Sequence, residues 1–367
     1  MHILYIGWAH HVHVRRWAAY FAGRGHRVTI LTNSNTFEPL ENVIIIRIIS
    51  RSCLSRFAAD EIRAWAFLLR PDVINVHFAT YGWMVRKIRD IPIGITAWGS
   101  DIYLFSSYDE TAQVSLKEAL SNADFITCDS QDLKKKILEI IGKGDDKVKV
   151  IQWGVDTRIF RPLPVNDLVR SRFGLPMGNS VILSMRNINP IYNPETIIEA
   201  FGILVRRNDN VVLVQKYYKS TKKRLKELHE LVEKKGLTKK VFWIGELEYE
   251  DLPWLYNVAN VVVSVPSSDG TPMTLLEAMA CGVTPIVSEL PSVLEWVKHD
   301  ENAIVVPAGD AMKLAQALER ILIENEKRQQ ISKINIKVVK DRAEHSAHMN
   351  SMEELYNSVV QNKMSWR

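Results

Sequence analysis

The sequence predicts an α/β chain made of two doubly wound, parallel-sheet domains in series. Three observations carry this reading. The 367 residues exceed what one hydrophobic core usually serves. Short blocks dense in β-branched residues recur along the chain, with the length and composition of strands buried on both faces. Amphipathic stretches of helical period separate these blocks, and that alternation is what a parallel sheet covered by helices requires.

The first set of blocks is HILYIG, RVTILT, VIIIRI, DVINVH, IGITAWG, DFITC and VKVIQWG, with helical stretches such as VRRWAAYFAGRG and ADEIRAWAFLLR between them. Around DTRIFRPLPVNDLVRSRFGLPMGN the pattern breaks into prolines and polar residues, as a linker does. It then resumes in SVILSM, NVVLVQ, KVFWIG, NVVVSVP, VTPIVS and AIVVP. The closing AEHSAHMNSMEELYNSVVQNKM is helical in pattern, and with nothing left to cover it is expected to cross back to the first domain. The expected boundaries are therefore 1–163, 164–343 and 344–367. Doubly wound sheets bind ligands beyond the C-terminal ends of their strands, and the deepest cleft is expected between the two domains.

Composition narrows the class. Hydrophobic residues make up 47% of the chain, as in globular proteins, and no apolar run approaches the length of a membrane span. The opening MHILYIG lacks the basic-then-apolar layout of a signal peptide, so the expected location is the cytoplasm. A formal charge of +5 and a pI near 8.9 favour an anionic ligand, or peripheral contact with the inner face of an anionic membrane. The same charge is too weak to argue for nucleic acid. Cys53, Cys128 and Cys281 have no paired spacing and suit a reducing compartment without a metal finger. The basic run KYYKSTKKRLKELHELVEKKGLTKK interleaves acids at helical spacing and reads as a solvated helix face.

In SSDGTPMTLLEAMACG, Ser267 to Gly282, a Gly-Thr-Pro turn lies between two acids, Asp269 and Glu277. NVVVSVP before it reads as a buried strand, and MTLLEAMA is rich in helix formers up to the stop at Gly282. Pro272 suits a first helical position. Such a strand, turn and helix aims free backbone N–H groups and a positive dipole end at whatever lies above the strand, which is an anion site, most often for phosphate. Asp269 precedes the helix and Glu277 lies one to two turns inside it, so the pair does not chelate a metal as neighbours on one face would. Two hydroxyl-rich parts of one ligand, on either side of a phosphate group, fit the spacing better. By spacing alone, Asp269 also reads as an N-cap and Glu277 as a solvated helix residue.

Several stretches together resemble the retaining, nucleotide-sugar-dependent glycosyltransferases of family 4, built on the GT-B architecture. They are MHILYIG with RRWAAYFAGRGHRVTILT, then AWGSDIY, VIQWGVDTRIFRP and above all SDGTPMTLLEAMACGVTPIVSELPSVLEWV. The family's two acids, separated by seven residues, stand here as Asp269 and Glu277. The resemblance implies a hexosyltransferase that takes a sugar from a nucleotide-diphosphate donor, UDP- or GDP-linked. The acceptor would be a hydroxyl of a glycan or lipid-linked precursor, in cell-surface polysaccharide or glycoconjugate biosynthesis. It also implies no metal and no separate cofactor. Glu277 would hold the ribose hydroxyls and Asp269 would contact the donor sugar. Gly270, Thr271, Met273, Thr274 and Leu275 would face the diphosphate and sugar, with Leu247 and Tyr192 completing the donor side. As the glycosidic bond breaks, the departing diphosphate gains charge that a fixed helix N-terminus stabilises without reorganising. No residue stands out as a covalent nucleophile, so a front-face route is expected, in which the leaving phosphate helps deprotonate the acceptor.

Departures from the family pattern matter as much. The family commonly grips the diphosphate with an Arg and, a few residues on, a Lys; SMRNINPIYNPETIIEAF supplies Arg186, but Tyr192 stands where the Lys would be. Lys216 either replaces that cation or is a solvated loop lysine. Pro272 occupies a position usually held by Gly, which removes an N–H, and the Thr271 hydroxyl is a candidate substitute. In the first domain GWAHHVHVRRW keeps Gly7 of a Gly-Gly loop and adds His10, His11 and His13, whose spacing is not that of a metal site. This loop, with Trp8 and His13, is expected on the acceptor side. TAWGSDIY resembles the family's HG-x-D segment with Trp98 in place of His; Gly99, Ser100 and Asp101 are acceptor-side candidates, Asp101 alternatively a cap. Trp153, Asp156 and Glu295 read as structural. Two rival functions stand beside the transferase: a catalytically idle nucleotide-sugar-binding module and a GT-B sugar epimerase.

Overall fold

In the computed structural model the described residues are 1–49, 56–142, 144–218 and 222–364. Cys53 lies outside them. The chain divides into two compact units, Met1–Trp153 with Ser346–Arg367, and Gly154–His345. Residues 154–163, grouped above with the first domain, fall in the second unit.

The first unit is built on seven parallel strands: β1 (His2–Ile6), β2 (Arg27–Thr32), β3 (Val43–Arg47), β4 (Val73–His77), β5 (Ile93–Thr96), β6 (Phe125–Cys128) and β7 (Val148–Val150). Their order is β3-β2-β1-β4-β5-β6-β7. The central strands β1, β4, β5 and β6 are buried at every position, as the β-branched runs require, whereas the edge strand β3 exposes Ile44 and Arg47. The helix Val12–Gly23 starts where the His11 side chain accepts from His13 N. Gly7 is dictated by close approach, since a Cβ there would sit 3.1 Å from Cβ of His77. The helix His345–Met364 belongs to this unit from Ser346 onward. Its Tyr356, fully buried, accepts from Asn75 Nδ2 at 2.8 Å, and its Glu353 meets His26 at 2.6 Å and Arg24 at 2.9 Å.

The second unit has six parallel strands: β8 (Ser180–Ser184), β9 (Val211–Lys216), β10 (Val241–Ile244), β11 (Val261–Ser264), β12 (Thr284–Ser288) and β13 (Ile304–Val306). Their order is β10-β9-β8-β11-β12-β13. In each unit the chain reverses its direction of strand addition once, between β1 and β4 and between β8 and β11. Crevices open at such switch points. Two local expectations are corrected. The linker contains a helix, Asp167–Arg172, whose first turn is capped by the Asn166 side chain on Val169 N at 3.1 Å. Pro272 is the N-cap of the helix Met273–Ala280 rather than its first residue, because its extended ψ of 114° is not helical. Cys128 and Cys281 are buried and neither is in a disulfide among the described residues. Among the described residues no helix is long and apolar enough to cross a membrane.

Candidate active site

The switch point of the second unit brings two loops together. The loop after β8 carries Arg186 and Tyr192, and the loop after β11 carries Asp269, Gly270 and Thr271. Ser267 N donates to Ile191 O at 2.8 Å, and Asn193 Nδ2 donates to Val265 O at 2.8 Å and Ser267 Oγ at 2.9 Å, sewing one loop to the other. That stitching sets Arg186 Nη2 2.6 Å from Asp269 Oδ2, with both side chains mostly buried. The Arg186 guanidinium lies 4.2 Å from the centre of the Tyr192 ring. The residue standing where the family's lysine would be is therefore a platform for the remaining cation. Burial raises the Asp269 carboxyl above its usual range, and Arg186 and the Gly270 N–H pull it back. Burial alone would lower the Arg186 guanidinium; the Asp269 charge and Tyr192 hold it above its ordinary value.

The helix Met273–Ala280 opens directly behind this pair. Leu276 N donates to Pro272 O at 3.3 Å and Leu275 N to the same oxygen at 2.9 Å. The N–H of Leu275 is thus committed, and the helix supplies no partner for those of Met273 and Thr274. The turn is braced from outside: Ser292 Oγ donates to Asp269 O at 2.8 Å, and the Trp296 indole donates to Thr271 Oγ1 at 3.3 Å. Thr271 is buried. One turn on, Glu277 is 8% exposed and its Oε2 accepts from the buried Tyr256 hydroxyl at 2.8 Å. Burial, then the Glu277 charge, lifts the Tyr256 phenol well above its usual value, so it stays a donor. Lys216 closes β9, half-buried, its ammonium 5.0 Å from the Tyr218 ring. Gln215 Nε2 ties that strand end to Arg186 O at 3.0 Å. Leu247 is half-buried in the segment after β10.

Buried polar atoms at these strand ends with no hydrogen-bond partner among the described residues include Ser184 Oγ, Arg186 Nε, Gln215 Oε1, Ser264 Oγ and Thr274 Oγ1. Unpaired buried polar groups are costly and rare. Their gathering at the C-terminal ends of β8, β9 and β11 and the helix start marks a place shaped for a polar ligand.

The first unit has its own concentration of side chains, at the switch point between β1 and β4. Trp8 lies 5.7 Å from Trp98 and 5.0 Å from Phe78, centre to centre; His11 lies 4.3 Å from Trp98; and His13 stacks on Trp153 at 4.4 Å. Beneath them His77, the last residue of β4, is fully buried, edge-on to Tyr5 and Trp17. Among the described residues neither His77 nitrogen has a hydrogen-bond partner, nor do the indole nitrogens of Trp17 and Trp98. Burial, with the His11 charge a lesser cause, pushes His77 down to about 3, and burial pushes His11 down to about 4. His10 Nδ1 is 2.8 Å from Ser34 Oγ. Gly99, at a φ of 109°, caps the helix Ser100–Tyr103. Asp101 turns inward: its oxygens accept from Ala79 N at 2.6 Å and Trp98 N at 3.0 Å, and burial raises it to about 6. Its carboxylate holds the Trp98 backbone rather than facing solvent.

Sequence reasoning missed Tyr256, Trp296, Ser292 and His77. The histidine had a signal, a polar residue ending an otherwise apolar strand block, DVINVH. Tyr256 had none beyond one polar handle in an apolar helix.

Residues 10–159 match the family described as Glycosyltransferase Family 4, and residues 166–338 that described as Glycosyl transferases group 1. D-inositol 3-phosphate glycosyltransferase of Corynebacterium aurimucosum is 20% identical over 280 residues, 72% of this chain and 66% of that protein. The chain thus spans about two thirds of that relative's length. Sucrose-phosphate synthase from Thermosynechococcus elongatus superposes with a TM-score of 0.86 at 20% identity, covering 99% of this chain and 100% of the other. Anabaena HepE in complex with UDP and glucose superposes at 0.84 with 16% identity, covering 98% and 100%. With the first unit matching one half of the family pattern and the second unit the other, the chain belongs to the group 1 glycosyltransferases, of family 4 and GT-B fold.

Proposed function

We propose that this chain is a retaining hexosyltransferase that uses a nucleotide-diphosphate sugar, UDP- or GDP-linked, without a metal or separate cofactor. The observation that carries the reading is the second unit's strand-end site. There the start of the helix Met273–Ala280, the Arg186–Asp269 pair and the Glu277–Tyr256 pair stand around orphaned side-chain polar atoms. The Anabaena HepE structure, with UDP and glucose, supports a uridine nucleotide. In this reading Glu277, oriented by Tyr256, accepts from the ribose hydroxyls. The N–H groups of Met273 and Thr274, with Arg186 and Lys216, meet the diphosphate and stabilise the charge it gains on departure. Asp269 meets the sugar.

The aromatic cluster of Trp8, His11, His13 and Trp98 suits the apolar face of an acceptor sugar ring or the chain of a lipid-linked precursor, which fits cytoplasmic assembly of a surface glycan. Retention follows a front-face route in which the leaving phosphate takes the acceptor proton. The test is release of nucleoside diphosphate from UDP-glucose and GDP-mannose with aryl glycosides as acceptor probes, followed by proton NMR of the product anomer. A product of retained configuration supports the reading. Nucleotide that binds with no diphosphate released points instead to an idle binding module, and an altered free sugar nucleotide to an epimerase.

A further inference from the structure

Phe78, the residue directly after β4, has a φ of 81° and a ψ of 107°. A bulky side chain at positive φ is a backbone outlier that glycine would relieve. Such strain persists only where the surroundings over-determine it, and it collects at ligand sites. Here Phe78 N donates to Thr96 O at 3.0 Å and Tyr81 N donates to Phe78 O at 3.0 Å. The next N–H, of Ala79, donates to Asp101 Oδ2 at 2.6 Å, and the other oxygen of that carboxylate accepts from Trp98 N at 3.0 Å. One fully buried side chain thus ties the strained loop after β4 to the loop after β5.

The Phe78 ring so held is half-buried, 5.0 Å from Trp8, 5.8 Å from Trp98 and 6.0 Å from Tyr81, centre to centre. Trp8 and Trp98 are half-buried too, so this wall of rings is not a sealed core. It is also uncharged. Burial keeps His11, beside Trp98, and His77, beneath, neutral by pushing them down to about 4 and about 3, and the Asp101 carboxylate is spent on backbone N–H groups. A sugar ring presents C–H faces that pack on such a wall, whereas a carboxylate or phosphate would give up its water there and gain nothing from these rings.

We propose that Phe78 is a specificity-determining residue of the acceptor side, selecting an uncharged sugar ring, and that Asp101 is the residue that positions it. The inference rests on the transferase reading for the role of the ligand as acceptor, while binding itself is measured without turnover. The full chain, without donor, is titrated with the phenyl glycosides of glucose, galactose and mannose and with phenyl glucuronide, by saturation-transfer NMR. At least one uncharged glycoside is expected to bind about tenfold tighter than the glucuronide. Phe78→Gly should weaken that glycoside about tenfold, the scale of one aromatic contact with its buried area, with UDP affinity by calorimetry retained. Asp101→Asn, which leaves one of the two N–H groups without its acceptor, should weaken it about fivefold, and should add nothing in the Phe78→Gly background. In turnover with UDP-glucose or GDP-mannose the same variants should raise the acceptor KM and spare kcat. Three outcomes overturn the proposal: a glucuronide bound as well as the uncharged glycosides; Phe78→Gly that lowers the melting temperature but not glycoside affinity, which makes the ring packing only; and an Asp101→Asn loss that adds in full to that of Phe78→Gly. Glycosides that bind in the expected pattern with no diphosphate released support the sugar site and count against the transferase reading. Diphosphate release with an acceptor KM indifferent to Phe78→Gly does the reverse.

Discussion

Tyr256→Phe removes one oxygen from the second unit and leaves in place the ring, which packs edge-on against Phe160. What goes is a hydrogen bond of 2.8 Å to Glu277 Oε2, between a fully buried phenol and a carboxylate 8% exposed. A hydrogen bond to a charged partner contributes about 1.5–3 kcal/mol, and the carboxylate left behind stays buried. In a unit of this size each kcal/mol moves the midpoint by roughly 2–4 °C, so melting should fall by about 3–12 °C. If Tyr256 acts on nucleotide only through Glu277, its loss should weaken UDP binding about tenfold in the natural background and leave it unchanged in Glu277→Ala. Calorimetric titration of the four members of that cycle reads the coupling directly. Equal losses in both backgrounds, or a melting temperature that does not move, would refute the reasoning.

Lys216→Ala should lower turnover by about 10²-fold, the scale of removing one electrostatic donor to a leaving group, as read by diphosphate release; full activity returns Lys216 to the role of a half-buried strand-end lysine. Acid should destabilise the first unit. His77 and His11 titrate at about 3 and about 4 when folded against 6.5 unfolded, so their contribution is present above 6.5 and lost as pH falls. Asp101, raised to about 6, opposes them, contributing below its unfolded 3.8 and losing that as pH rises. Two imidazoles against one carboxyl leave a net of about one proton, on the order of 2 kcal/mol lost between pH 7 and 5, and His77→Phe should flatten that slope in thermal melts. Gly94→Ala places a Cβ within 1.9 Å of the buried Phe125 ring, a clash between β5 and β6 that should cost about 1–3 kcal/mol or more in urea unfolding and be relieved by Phe125→Leu.

The sheets were the most legible part of the sequence because parallel strands buried on both faces leave an unbroken apolar, β-branched record. All thirteen blocks became strands, β1 to β13. Lone caps and short helices are weaker signals: the helix Asp167–Arg172 sits among prolines, and an extended Pro272 differs from a helical one by a single dihedral. In the candidate site, residues that bond through their own loop could be read from the motif. Those that act across elements could not, since nothing in LPWLYNV says that Tyr256 meets Glu277, and nothing in GSDIY says that Asp101 turns inward to hold Ala79 and Trp98.

Charge balance at the strand ends of β8 and β11 explains why the lost lysine matters less for the resting protein than for the reaction. Arg186 is already paired with Asp269 at 2.6 Å and lies 4.2 Å from the centre of the Tyr192 ring, a contact worth about 0.5–2 kcal/mol that a lysine in place of Tyr192 would replace with like-charge repulsion. The empty arrangement is therefore close to neutral. A diphosphate changes this, because it brings negative charge toward a guanidinium whose Nε is still unpaired and whose carboxylate partner then becomes a like-charge neighbour of the ligand. On the proposed reading, donor binding has to draw Asp269 away from Arg186 and toward the sugar hydroxyls, and the positive end of the helix Met273–Ala280 together with Lys216 must offset what one arginine does not. On that reading the ion pair holds two groups ready, each to acquire its own substrate partner when the nucleotide sugar arrives.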